Sequence, residues 1–228
     1  MTSTTDILQK ILATRKLGSP SLLESEVKGL LAELGVPVPR GVFIPAGEAC
    51  PALSGLSFPL VAKVAAPAIA SKSDVGGVRL GIRDSDALAT AVAELQAIDG
   101  SVGVLVEEQA RPGLEVIVGG AIDPQFGPVV MFGPGGLFVE LFRDVAFALA
   151  PLGPDQARTL VATPKGAALL SGFRGKPAVD IGALVSIVVI VSELMGSGLI
   201  EEIDLNPVLL YPEGGVAVDA KMKLCDRP

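Results

Sequence analysis

Lys63 is the first residue of this chain whose chemistry asks for an explanation. It sits in FPLVAKV, residues 58–64, among apolar neighbours. An ammonium inside a strand is costly unless it finds a partner. A phosphate group would be one; a strand end from which the lysine snorkels to water would serve as well. The loop SKSDVGGV, residues 71–78, follows. Gly76 and Gly77 let backbone N–H groups turn towards an anion, and Ser71, Lys72 and Ser73 add donors. A plain hairpin turn needs the same glycine pair. Much further on, Asn206 in EIDLNPV and Asp219 in AVDAKMKL are expected on adjacent strands. They offer an amide oxygen and a carboxylate, hard donors that suit Mg²⁺, which takes one or two ligands from protein and the rest from phosphate and water. Read singly, Asn-Pro opens a turn and Asp219 is a strand-end charge. Glu107 and Glu115 flank a junction, VEEQARPGLEV. There, backbone groups can pair with an adenine edge and a carboxylate can hold ribose hydroxyls; surface charge is the other reading.

The rest of the inventory works by exclusion. The chain has no histidine, so a Ser-His-Asp triad, a Cys-His pair and a histidine-bound zinc are ruled out. Neither GxxxxGK[ST] nor GxGxxG after a first strand is present. A net charge of −7 argues against nucleic acid as the main partner, while leaving room for a local basic pocket. Cys50 and Cys225 stand far apart in no metal-type spacing and read as unpaired thiols in a reducing cytosol. Asp6 interrupts the N-terminus and no apolar signal core follows. The most apolar stretch, Ile181–Val191, lies between Asp180 and Glu193 and is shorter than the ~20 residues a bilayer span needs, so it reads as a buried helix. These features predict a cytoplasmic protein without a membrane partner.

The elements that would position these residues are legible from periodicity. Residues 21–35 show an amphipathic helix with Leu23, Val27, Leu30, Leu31 and Leu34 on one face, a capping box of Ser21 and Glu24, and Gly35 as the stop. A helix over 3–16 precedes it. Strands are expected over 37–44, 58–65, 78–82 and 103–109, with a helix from its cap Asp84 through Ala97, Leu88, Ala91, Val92 and Leu95 facing inward. Strand candidates LEVIVGGAI, PVVMF, LFVEL and VAFALA follow, separated by turn signals. Helices at Pro154–Ala162 and Val179–Met195 and two final strand segments complete the pattern. The reading is one α/β domain of 228 residues built from α+β lobes. One lobe spans about 37–109; the other spans about 110–228 together with helices in 1–36.

Taken together, KSDVGGVRLGI, PGLEVIVGGAIDPQFGPVVMFGPGG, LLSGFRGKPAVD and IEEIDLNPVL with AVDAK resemble the ATP-grasp (β) subunit of ADP-forming acyl-CoA synthetases, enzymes related to succinyl-CoA synthetase. The resemblance implies an ATP-grasp fold, two lobes enclosing a nucleotide cleft, with ATP or ADP and Mg²⁺ as cofactors. It implies that Lys63 and Lys72 meet phosphates and that Gly76 and Gly77 form the loop over them. Glu107 would lie at the adenine hinge, Glu115 near the ribose, and Asn206 and Asp219 on Mg²⁺. It also implies a CoA-binding, α-type partner subunit carrying a phosphohistidine, in a hetero-oligomer.

Two departures stand out. The family loop typically reads HKSDVGGV, and its histidine is replaced here by Ser71; a serine phosphate is a stable ester and cannot stand in for a phosphoramidate. The family's DVAFRL is DVAFAL here, with Ala148 in place of arginine, and Lys72 and Arg143 are the nearby cations. Two functions therefore follow. One is a working ligase subunit that exchanges phosphoryl directly with the partner's histidine. The other is a catalytically degenerate nucleotide-binding or structural subunit.

Overall fold

The computed structural model describes residues 21–53, 55–69, 72, 74–136, 142–175 and 177–225. The helix expected over 3–16, Ser71, Ser73 and the strand candidate LFVEL lie outside the described residues. The described chain forms two compact units. One comprises Pro39–Arg111 with Leu23–Glu26; the other holds Val27–Val38 and the chain from Pro112 onward.

Helix α1 (Glu24–Glu33) buries Val27, Leu30 and Leu31, and its expected stop holds. Gly35 takes φ +87°, and the Val36 N–H donates to Leu31 O at 2.9 Å. Its start differs from the sequence expectation. Ser21 bridges Lys223, and the Leu22 N–H donates to Met222 O at 3.0 Å, so these two residues belong to a sheet edge. The helix begins after them, and Glu26, three residues past Leu23, accepts from the Leu23 N–H at 2.7 Å. The helix therefore starts later than a cap at Ser21 would place it.

In the unit around Pro39–Arg111, β1 (Gly41–Pro45), β2 (Leu60–Ala65), β3 (Val78–Ile82) and β4 (Gly103–Glu108) make an antiparallel sheet in the order β1-β4-β2-β3. Helix α2 (Ser85–Gln96) follows β3, and the Asp84 carboxylate caps it by accepting from the Ala87 N–H at 2.8 Å. Its Leu88, Ala91, Val92 and Leu95 recur at helical spacing and pack on Leu60, Ala62, Val64, Val104 and Val106. Strand alternation puts Val61, Lys63, Leu105 and Glu107 on the other face.

The second unit is built on β5 (Leu114–Asp123), β6 (Gly127–Pro134), β7 (Ala146–Leu149), β8 (Ile200–Leu210), β9 (Gly215–Ala217) and β10 (Ala220–Leu224). The order is β10-β8-β5-β6-β7, with β9 pairing to β8. Helices α3 (Pro154–Ala162) and α4 (Ile181–Gly196) join its core. The apolar stretch 181–191 is indeed a buried helix: Leu184, Val188, Val191, Leu194 and Met195 are all enclosed. A Cβ at Gly120 would lie 2.5 Å from Met195 Cγ, so that glycine lets α4 approach the sheet. Among the described residues no helix is long and apolar enough to cross a membrane.

Candidate functional site

Lys63 has found partners, and they are carboxylates. Its Nζ lies 2.6 Å from Glu24 Oε1 and 3.0 Å from Glu107 Oε2. The second oxygen of Glu24 pairs with Lys72 Nζ. The side chains are nearly closed off from water, at 11% exposure for Lys63, 8% for Glu24 and 3% for Glu107. Strand register explains the Lys63–Glu107 contact. Val61 faces Glu107 across β2 and β4, so Lys63, two residues on, is its diagonal neighbour on the same face. Gly41 is directly opposite Glu107 on β1, where a Cβ would come within 2.7 Å of Glu107 Cγ. The missing side chain at position 41 gives Glu107 its room. Glu107 is thus turned into the ion pairs, whereas the sequence placed it beside an adenine. The sequence marked Glu24 only as half of a helix-capping box, not as a partner of Lys63.

The glycine loop is closed on itself. The Gly77 N–H donates to Lys72 O at 2.6 Å, and Gly77 O accepts from the Val64 N–H at 2.8 Å. Gly76 takes φ +63°, a conformation that L side chains rarely adopt, and its carbonyl accepts from Arg79 Nη1 at 2.5 Å. A Cβ at Gly77 would sit 2.5 Å from Val64 Cγ1 and 2.8 Å from Lys72 O. Both glycines therefore have a conformational or packing reason. The expectation that Gly77 aims its N–H at an anion is corrected: that donor is engaged inside the loop.

At the junction, the Glu108 N–H donates to Arg40 O at 2.9 Å and the Gln109 N–H to Pro59 O at 3.0 Å. The Arg40 guanidinium and the Ser57 N–H hold the Glu108 carboxyl below the usual glutamate range. Glu115 is exposed on β5.

The second set of functional groups lies on the β8 sheet. Ile203 and Leu205 point into the core beneath α4, so Asp204 and Asn206 occupy the other face. Between Val116 and Val118 of β5 the β8 register advances from Val208 to Leu205, so Asn206 and Pro207 together oppose one residue. This bulge accommodates a proline, which has no N–H for the ladder, and re-aims the side chains around it. Asp219 does not lie on a strand as expected: it sits in the two-residue break between β9 and β10. The break is nonetheless tied to β8, because the Val218 N–H donates to Pro207 O at 3.1 Å and Ala220 pairs with Leu205. The buried Lys28 of α1 adds a bond from Nζ to Val218 O at 2.9 Å.

Asp204 is the residue that sequence reading passed over. Burial raises its pKa above the ordinary aspartate value. Lys221 pulls the other way, and the carboxylates of Asp219 and Glu202 raise it further. Gly119 is opposite Asp204 on β5, where a Cβ would lie 3.1 Å from Ile203 O and 3.8 Å from Asp204 Oδ1. The signal was available: in EIDLNP, Asp204 is two residues before Asn206 and must share its face. Asp204, Asn206 and Asp219 are all hard oxygen donors. Among the described residues no group of three or more His, Cys, Asp or Glu is arranged to hold a metal ion. Such a pair of carboxylates with an amide fits Mg²⁺ completed by phosphate and water. Ala148 is on the far side of this sheet. It faces Val130 and packs against the core, while its neighbour Phe147 shares the face of Gly119 and Asp204.

Residues 13–224 match the ATP-grasp domain family. The chain is 37% identical over 225 residues to the β subunit of acetate–CoA ligase (ADP-forming) I of Pyrococcus furiosus, covering 95% of this chain and 97% of that subunit. It is 41% identical over 207 residues to acetate–CoA ligase (ADP-forming) II of Archaeoglobus fulgidus, covering 90% of this chain but only 31% of that longer relative. Among solved structures, a chain of acetyl-coenzyme A synthetase 1 from Ca. Korarchaeum cryptofilum superposes with a TM-score of 0.81 at 41% identity, over 98% of this chain and 100% of that one. That protein is in complex with coenzyme A and Mg-AMPPCP, its phosphohistidine segment pointing towards the nucleotide binding site. By sequence and by fold, the chain belongs to the ATP-grasp family, among the β subunits and corresponding domains of ADP-forming acyl-CoA synthetases.

Proposed function

We propose that the chain is the nucleotide-binding subunit of an ADP-forming acyl-CoA synthetase. The overall reaction is acid + CoA + ATP to acyl-CoA + ADP + phosphate, run in the cytoplasm by a hetero-oligomer with a CoA-binding partner. The observation that carries this reading is the nearly end-to-end match to a relative that is itself a separate β subunit.

The residues divide the work. Lys63 and Lys72 receive nucleotide phosphates, and Glu107 orients Lys63 from behind. The loop from Lys72 to Gly77 holds the Lys72 backbone in place. Asp204, Asn206 and Asp219 hold Mg²⁺, which when bound neutralises charge on the phosphoryl oxygens. Catalysis by such groups is positioning and electrostatics. The engaged N–H groups of Glu108 and Gln109 shift any backbone pairing with adenine past Gln109, and Glu115 serves the ribose. No histidine of this chain can carry phosphoryl, so exchange runs directly between the nucleotide and a phosphohistidine on the partner chain.

Co-expression with the partner tests this. ADP release should depend on acid and CoA, label from γ-phosphate should appear on the partner's histidine, and Ser71→Ala should keep most of the activity. The lack of histidine supports a second reading, a subunit that binds nucleotide without turnover. MgATP binding with no labelling of the correct partner would establish it.

A further inference from the structure

We infer that Glu24 holds the place of a nucleotide phosphate and is exchanged for it when nucleotide binds. The inference rests on the proposed nucleotide-binding function and adds a residue to it. One carboxylate bridges two ammonium groups, giving one oxygen to Lys63 and the other to Lys72. A phosphate would bridge the same pair in the same way. Among the described residues, Glu24 and Glu107 set two negative charges against the two ammonium groups, and an arriving phosphate must displace one of them.

The two carboxylates are not equivalent. Glu107 is fixed in the middle of the sheet, between Gly41 and Val61 on the neighbouring strands. Glu24 lies in the first turn of α1, where the helix dipole favours a carboxylate whether or not it is paired. The Leu23 N–H at the start of the helix is held by Glu26. Glu24 is therefore the exchangeable partner and Glu107 the permanent one. Since Glu24 also holds Lys72, the exchange passes both ammonium groups from the carboxylate to the phosphate.

The experiment compares wild type, Glu24→Gln and Glu107→Gln by calorimetric titration with ATP and with inorganic triphosphate, alongside thermal unfolding without ligand. Glu24→Gln should bind both probes at least fivefold more tightly than wild type and unfold at a lower temperature when ligand-free. Glu107→Gln should bind more weakly. A merely structural Glu24 would lower the unfolding temperature and leave affinity unchanged or reduced; that result, with wild type binding normally, overturns the inference and leaves the proposed function standing. Binding by Glu24→Gln alone supports the inference in its strongest form. Absence of binding by both overturns the inference and the proposed function together. Should Glu24→Gln fail to fold, Glu24→Asp keeps the charge but is too short to span both lysines, and its affinity is read in the same way.

Discussion

The ion-paired cluster around Lys63 and the acidic face around Asp204 differ in charge balance and in state. In the first, every charge named above is answered within the protein, at distances of 2.6 and 3.0 Å for Lys63, and the side chains are almost closed to water. In the second, Asp204 is pushed up by burial and by two neighbouring carboxylates, and Asn206 is exposed. The first region is ion-paired without ligand; the second is the proposed cation site. Substitutions should therefore strike the fold in one region and the ligand in the other.

The largest effect should come from Lys63→Met. It leaves the Glu107 and Glu24 carboxylates buried beside an apolar side chain, and removing one member of a buried ion pair costs about 3–5 kcal/mol. Denaturant unfolding measures this, and nucleotide binding should be lost as well. A cost under about 1 kcal/mol would mean that the cluster contributes little to the fold and would erase the contrast. Gly77→Ala should come next. Its Cβ would press on Val64 Cγ1 and Lys72 O. Overpacking of this kind costs about 1–3 kcal/mol and should shift the loop that carries Lys72.

The acidic face should behave differently. Asp219→Asn should leave the unfolding midpoint nearly unchanged and raise the magnesium concentration needed for nucleotide binding about tenfold, equivalent to about 1.4 kcal/mol. A variant that unfolds would instead mark Asp219 as structural. The smallest effect concerns pH. With its folded pKa raised above the unfolded value, Asp204 holds its proton longer in the folded state, so stability falls as pH rises from the ordinary aspartate range to the folded pKa. Asp204→Asn should remove that fall, making the variant more stable than wild type at neutral pH, with the gap closing in acid. Saturating Mg²⁺ and nucleotide should close it too, by stabilising the ionised wild type. Identical pH profiles for the two proteins would show that Asp204 is not strained by its neighbours.

What the sequence made legible was what is decided locally. The Asp84 cap, the inward face of α2 and the bounds of β3 and α3 follow from periodicity and capping over a few residues, and the structure has them. The start of α1 was misread because a distant strand decides it: pairing of Ser21 and Leu22 with β10 moves the helix start past the Ser-x-x-Glu pattern. The partner of Lys63 was missed for the same reason, since Glu24 is 39 residues away in the chain and only the fold brings it close. Ala148 shows the limit of motif comparison. The family's arginine at that position is replaced by a residue that packs against the core, on the opposite side of the sheet from Asp204.

The most direct test of the account is titration of the wild-type chain with ATP in the presence and absence of Mg²⁺, repeated on Asp219→Asn. The account predicts saturable binding that Mg²⁺ strengthens, with the metal's contribution reduced in the variant and restored at higher Mg²⁺. No binding at millimolar nucleotide, or binding that Mg²⁺ and Asp219 leave unchanged, would contradict it.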